Sequence, residues 1–292
     1  MIALMLRLGI GSVFIVGGWW KLSRALDPAR ADALLTRYLA PDGYINAFFQ
    51  NYLFASDLMT PWFFMTALSG FELFAGIALM LGLFVRALAI TFGVLMWSFV
   101  AALPVMTTPG LTPTDPTFLT PALIVQIRDV GLSGLCFALA AVGSGALSLD
   151  ARFFGRGAAA SSANWSALGL LIRLSLGVVF LSGGFFYGLD HVKSWTSIPL
   201  LSIAIGVVLV SGHGVRIAAA AAFIVLAISC INSMDGSNTL WNNLNAVKRE
   251  FAFLVAAGLL VRFSGGPAFQ AGYLIRHPKA ALFGPERAPD RI

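Results

Sequence analysis

Apolar residues run along this chain in eight long blocks separated by short polar stretches: 3–20, 62–84, 87–104, 127–146, 168–188, 198–213, 217–234 and 247–263. A run of about 18 apolar residues makes a helix long enough to cross the hydrocarbon core of a bilayer. The pattern predicts an all-α membrane protein with eight transmembrane helices. The sixth block is short and the eighth opens on charges. Between the first two blocks lies a long loop, 22–61, whose stretch YINAFFQNYLF (44–54) predicts an amphipathic segment on the membrane face. The Thr- and Pro-rich stretch 107–121 predicts an extended, semi-rigid connection.

The first block recurs. Shifted by 166 residues, LRLGIGSVFIVGGWWK (6–21) falls on IRLSLGVVFLSGGFFY (172–187), placing Arg7 on Arg173, Phe14 on Phe180 and Gly17-Gly18 on Gly183-Gly184. GIALMLGLFVR (76–86) falls on GVVLVSGHGVR (206–216), and QIRDVGLSGLCFALAAVGSG (126–145) on VKREFAFLVAAGLLVRFSGG (247–266). Four helices per half is an even number, so both halves would insert in the same sense, as two parallel four-helix-bundle repeats. The expected organisation is a first bundle over 1–150, a basic small-residue linker over 151–167, a degenerate second repeat over 168–266 and a tail over 267–292. In the second copy Glu72 becomes Ser202, Lys21 becomes Tyr187 and Asp150 becomes Ala271.

Composition agrees with a bilayer as the solvent. Of 292 residues, 58% are hydrophobic and only 11% charged, against about 25% charged in a soluble domain. Mean hydropathy is +0.85. The net charge of +6 would suit nucleic acid, but the location of the charges argues otherwise. With the N-terminus cytoplasmic, that face carries eleven cations and three anions, and the opposite loops eight cations and nine anions. This positive-inside bias places both termini in the cytoplasm and leaves no case for nucleic-acid binding. No A-x-A-like cleavage site follows the first block, and its near copy lies mid-chain, so 3–20 is expected to stay as an anchor. Cys136 and Cys230, without a C-x-x-C, read as inert buried thiols.

Glu72 is the sharpest candidate for chemistry. It sits about ten residues, or roughly 15 Å, into its helix, where an ionised carboxylate costs about 2.5–3.5 kcal/mol on insertion scales. It must be neutral, paired or facing a cavity. One reading is a proton acceptor or a hydrogen-bond partner for a bound ligand; the other is a buried acid hydrogen-bonded to a neighbouring helix. Lys21, just past the end of the first block, and Arg128 and Asp129, opening the fourth, are expected at the same outer end. They could form an anion or headgroup site, or an ion pair locking helix ends. Arg249 and Glu250 make a second such pair. Trp19, Trp20 and Trp62 suit an aromatic belt, with stacking on a ligand ring the alternative. Arg7, Arg86, Arg173 and Arg216 read as lipid-phosphate anchors. His191, His213 and His277 fall too far apart to ligate a haem, and no motif indicates a flavin, nucleotide or metal site.

Three segments together carry a family resemblance: L-R-x-x-x-G-x-x-F-x-x-G-G-x-x-K (6–21), E-L-x-x-G-x-x-L-x-x-G-x-x-x-R (72–86) and I-R-D-x-x-L…G-x-G-x-x-S-L-D (127–150). Over residues 1–155 the chain resembles the DoxX/DoxD membrane proteins, and the long first loop and the R-D pair are closer to the DoxD branch. DoxD is the membrane subunit of thiosulfate:quinone oxidoreductase. The resemblance implies a multi-pass protein of a bacterial-type inner (plasma) membrane. It also implies a quinone or small-anion site in the first bundle and a membrane or periplasmic partner subunit. The expected function is then a membrane subunit of a quinone-linked oxidoreductase complex. A non-catalytic scaffold or accessory subunit is the alternative, and a transporter comes third.

Overall fold

The computed structural model describes residues 1–40, 45, 49–55, 59–102, 106–155 and 165–266. Residues 156–164 of the 151–167 linker, the tail from 267 (with Ala271) and part of the 44–54 stretch lie outside them. Among the described residues the protein is helical, with no strand beyond an isolated bridge between Thr107 and Leu119. The eight apolar blocks become α1 (Ile2–Ala25), α3 (Pro61–Leu81), α4 (Val85–Ala102), α5 (Pro121–Val142), α7 (Trp165–Phe185), α8 (Pro199–Ser211), α9 (Val215–Asn232) and α10 (Leu240–Phe263). Three further helical segments lie in connections among the described residues: α2 (Pro28–Leu39), a π-helical turn (Phe49–Leu53) and the short α6 (Leu149–Phe154).

Among the described residues, four helices are long and apolar enough to cross a membrane by length and composition: α1, α3, α7 and α9. Two of the remaining blocks depart from a plain span, α8 by its length and α10 by its charges. In α8, Pro199 opens the helix and left-handed Gly212 closes it after 13 residues. That gives about 20 Å against a core of about 30 Å. In α10 the first turns carry Lys248, Arg249 and Glu250. Lipid contact falls on the outer helices, whose apolar side chains face outward, including Phe74, Ile90, Leu200, Ile217 and Ile231.

Helices α1, α5, α7 and α10 meet in the centre, and α3, α4, α8 and α9 pack outside them. The longest contact of α1 is with α3 and the next with α10; α7 likewise packs on α8 and then on α5. One apolar core therefore runs through both halves, from Leu6 to Leu260. The same crossings recur at the shifts seen in the sequence. A Cβ on Gly11 would lie 3.2 Å from the Gly76 carbonyl, and one on Gly177 3.3 Å from the Gly206 carbonyl. Where the halves differ, large and small trade places. The Phe137 ring fills the space at Gly93, and in the other half Phe223 fills it at Gly258.

The arginines correct an expectation. Arg86 and Arg216 are exposed at helix starts, but Arg7 and Arg173 are 1% and 0% exposed, so they cannot reach lipid phosphates. Arg173 donates to the carbonyls of Leu209 (3.1 Å) and Val210 (2.6 Å) at the end of α8, and Arg7 to that of Leu147. The last carbonyls of a helix have no intrahelical donor, and a guanidinium with five N–H groups supplies one without water. Asp150 plays a matching part at the α3–α4 turn. Its carboxylate accepts from the amides of Phe84 (2.8 Å) and Val85 (3.0 Å). It thereby holds Phe84 at φ 52°, a left-handed conformation unusual for a bulky residue.

The long first loop contains a helix that hydrophobic pattern alone did not predict. Asp27 caps α2 by accepting from Ala29, and Pro28 fits the first helical position. The Arg30 side chain and the Ala29 amide hold the Asp27 carboxyl below its ordinary range. Leu34 of α2 packs with Ala25, Ile45 and Met65 under Trp20, Tyr38 and Phe64. The 106–120 connection is a closed hairpin rather than an extended strap. Thr108 donates to Phe118 (2.7 Å) and Thr120 to Met106 (3.1 Å).

Candidate functional site

Gly18 builds the site by letting α3 come close to α1, and Gly17 leaves room for Lys248 of α10. A Cβ on Gly18 would sit 2.6 Å from the Leu73 nitrogen and 2.8 Å from the Ser69 carbonyl. Helix α1 does not end at the glycines; it continues to Ala25, so Lys21 lies within the helix, one turn on from this crossing. Its Nζ stands 2.5 Å from Glu72 Oε2 and 2.7 Å from Oε1. The Glu72 side chain is 5% exposed. The cost of an intramembrane carboxylate is met by a partner cation.

The pair lies on a cavity of about 260 Å³. Its apolar part comes from Val13, Phe14, Met65, Leu68, Met96 and Phe99. Phe14 is braced by Phe92, stacked at 3.6 Å. Arg37 and Tyr38 of α2 reach it from the first loop, and Asn245, Lys248 and Arg249 of α10 from the other half. Four cations (Lys21, Arg37, Lys248, Arg249) and two anions (Glu72, Asp129) share the lining. The arrangement suits an amphiphile with a polar, electron-rich head.

Of the residues singled out in the sequence, Glu72, Lys21, Asp129 and Trp20 line this cavity. Arg128 and Trp19 do not. Neighbours on a helix point about 100° apart, so Asp129 faces the cavity while Arg128 turns to the second half. There Arg128 stands 4.0 Å from Glu250, and Arg249 stands 3.7 Å from Asp129. Each acid is thus paired with the arginine of the opposite half. Trp19 is 40% exposed and packs on Trp241 with ring centroids 5.9 Å apart. Trp20 carries the Arg24 guanidinium over its ring at 3.6 Å. Trp62 donates to the Ala25 carbonyl (2.8 Å), tying the start of α3 to the end of α1.

Sequence reasoning missed the contributions of α2 and α10. Asp27-Pro28 was a legible helix start, but nothing in the pattern said the helix would lie over this site. Lys248 and Arg249 were visible as charges opening α10, yet only the crossing of α10 on α1 delivers them. Lys248 bonds Asn245 and lies against Gly17. Among the described residues no group of three or more His, Cys, Asp or Glu is placed to hold a metal. Cys136 is buried, Cys230 half-buried, and both are free thiols.

Among the described residues the second half encloses no equivalent space. Ser202, in the place of Glu72, donates to the Phe180 carbonyl (2.8 Å). Beside Arg128, Val179 and Gly183, the counterparts of Arg249, Val13 and Gly17, only about 10 Å³ remains. Trp195, from the shorter α7–α8 connection, lies edge-on to Phe180 (4.9 Å) and tilted on Phe253 (5.4 Å).

Compared with known families, the chain matches the DoxX family model over residues 2–106. The match takes in Lys21, Glu72 and α2 and stops before α5, so Arg128 and Asp129 lie outside it. No curated protein and no solved structure matches.

Proposed function

From a chain whose residues 2–106 match the DoxX family model, we propose a membrane subunit of a quinone-linked oxidoreductase complex that takes the quinone headgroup in the cavity beside Lys21 and Glu72. The carrying observation is that cavity. A buried Lys–Glu pair sits at the edge of an aromatic and aliphatic space close to the lower end of small-ligand pocket sizes, about 300 Å³. The apolar lining suits a ring and the first carbons of its tail, and Lys21 suits a quinone carbonyl as a donor. Reducing a quinone takes two electrons and two protons. Lys21 and Glu72, joined by a hydrogen bond, are placed to pass a proton to the carbonyl oxygen. The electrons would come from a partner subunit on the outer face, with thiosulfate-type oxidation as the specific version.

In this proposal all eight apolar helices are embedded, as two repeats in the same sense, in a bacterial-type inner membrane with both termini cytoplasmic. The recurring helix crossings and the inside bias of Lys and Arg support it. The test is quinone reduction by the natively purified complex. Glu72→Gln and Lys21→Ala are expected to cut the rate at least roughly tenfold while partner binding survives. Unchanged rates in both, with stoichiometric partners and no bound quinone, would favour a scaffold instead.

A further inference from the structure

Asp129 is 2% exposed and lines the cavity, yet its Oδ1 has no hydrogen-bond donor, with Arg249 Nε 3.7 Å away. Its counterpart Glu250 is served twice: by Lys193 Nζ at 2.5 Å and by the indole N–H of Trp195 at 3.4 Å. A buried carboxylate oxygen without a donor costs free energy, and charged acceptors cost most. One half of the protein therefore shows how the other can be completed.

The correspondence can be traced residue by residue. The indole of Trp195 touches Phe180, Phe253 and Glu250. The sequence shifts carry these onto Phe14, Leu132 and Asp129, and all three line the cavity. The space that a tryptophan side chain occupies in the second half is the space left open in the first. Among the described residues the longer loop of the first half folds into α2, which brings Arg37 and Tyr38 to the cavity lining.

We propose that the cavity binds a single aromatic ring carrying a hydroxyl or N–H donor directed at Asp129, in the place that Trp195 takes beside Glu250. Combined with the quinone reading, on which this identity rests, the preferred ligand is the hydroxylated quinol. Its hydroxyl donates to Asp129, and its other oxygen is left to the Lys21 end.

The test uses the purified full chain in detergent micelles and equilibrium dialysis with two matched probe pairs: hydroquinone against 1,4-dimethoxybenzene, and indole against 1-methylindole. The donor-bearing member of each pair is expected to bind about tenfold tighter, the scale of one hydrogen bond to a charged group. Asp129→Leu should erase the difference, and Asp129→Asn, which keeps an acceptor oxygen, should retain part of it. Equal binding within each pair of the wild-type protein would overturn the proposal without any variant needing to fold, and would mean that water serves Asp129. If quinones bind while the pairs do not differ, the donor inference fails and the quinone reading stands. If no aromatic probe or quinone binds at all, both fail.

Discussion

The two halves of this protein share their helix crossings and differ in what those crossings enclose. In the first, α1 and α3 meet at Gly11–Gly76 and open onto a cavity with an ion pair. In the second, α7 and α8 meet at Gly177–Gly206 and close on Trp195. Backbone approach is set by glycines and is common to both. The chemistry is set by two local differences: Glu72 against Ser202, and a long loop whose α2 borders the cavity against a short one whose Trp195 plugs the core. A scaffold and a site can therefore diverge independently within one chain.

Removing the plug should have the largest effect on that contrast. Trp195→Ala leaves a cavity among Phe180, Phe253 and Glu250, and large-to-small changes of this kind cost roughly 3–5 kcal/mol. A marked fall in thermal midpoint in micelles is expected, partly restored by free indole. Full stability without indole would mean that the second half does not depend on its plug.

Next comes the ion pair. Lys21→Met leaves Glu72 buried without a cation, at a cost of about 3 kcal/mol. Lys21→Met combined with Glu72→Leu should recover most of it, because replacing both charges removes the desolvation cost as well. In the second half Lys193→Met should be milder. That lysine side chain is 31% exposed, and Glu250 keeps Arg128 and Trp195 as neighbours. If denaturation midpoints fall equally for Lys21→Met and Lys193→Met, the asymmetry claimed for the two ion pairs is wrong.

The exchanged packing sharpens the comparison further. Gly93→Phe alone overfills the place of the Phe137 ring and should cost about 1–3 kcal/mol. Joined with Phe137→Gly it recreates the Phe223–Gly258 arrangement, and a double-mutant cycle should show favourable coupling. A strictly additive cycle would deny the equivalence of the two positions. A smaller effect is expected at the turn. Asp150→Ala leaves the Phe84 and Val85 amides without their acceptor and should cost about 1 kcal/mol, as for a lost helix cap. The matching turn of the second half starts α9 on Gly214 with no side-chain cap.

Much of the architecture was legible because period and composition are local properties. Each of the eight apolar blocks became a helix, and the shifts aligning them in sequence also align Gly11 with Gly177 and Gly93 with Phe223 in space. Crossing length was less legible: Pro199 and Gly212 cut α8 short, and charges occupy the start of α10. Burial of Arg7 and Arg173 was misread. An arginine at a helix end looks the same in sequence whether it reaches lipid or a neighbouring helix's carbonyls.

The candidate site divides along the same line. Glu72, Lys21 and Asp129 could be picked out because a charge within an apolar run is costly wherever the helix goes, so the sequence alone marks it. Their partners could not. Whether Asp129 faces Arg128 or Arg249, whether a loop lies over a cavity, and whether Trp195 fills its twin depend on which helix faces meet across more than a hundred residues. Those meetings are decided by packing in three dimensions, and only the folded chain settles them.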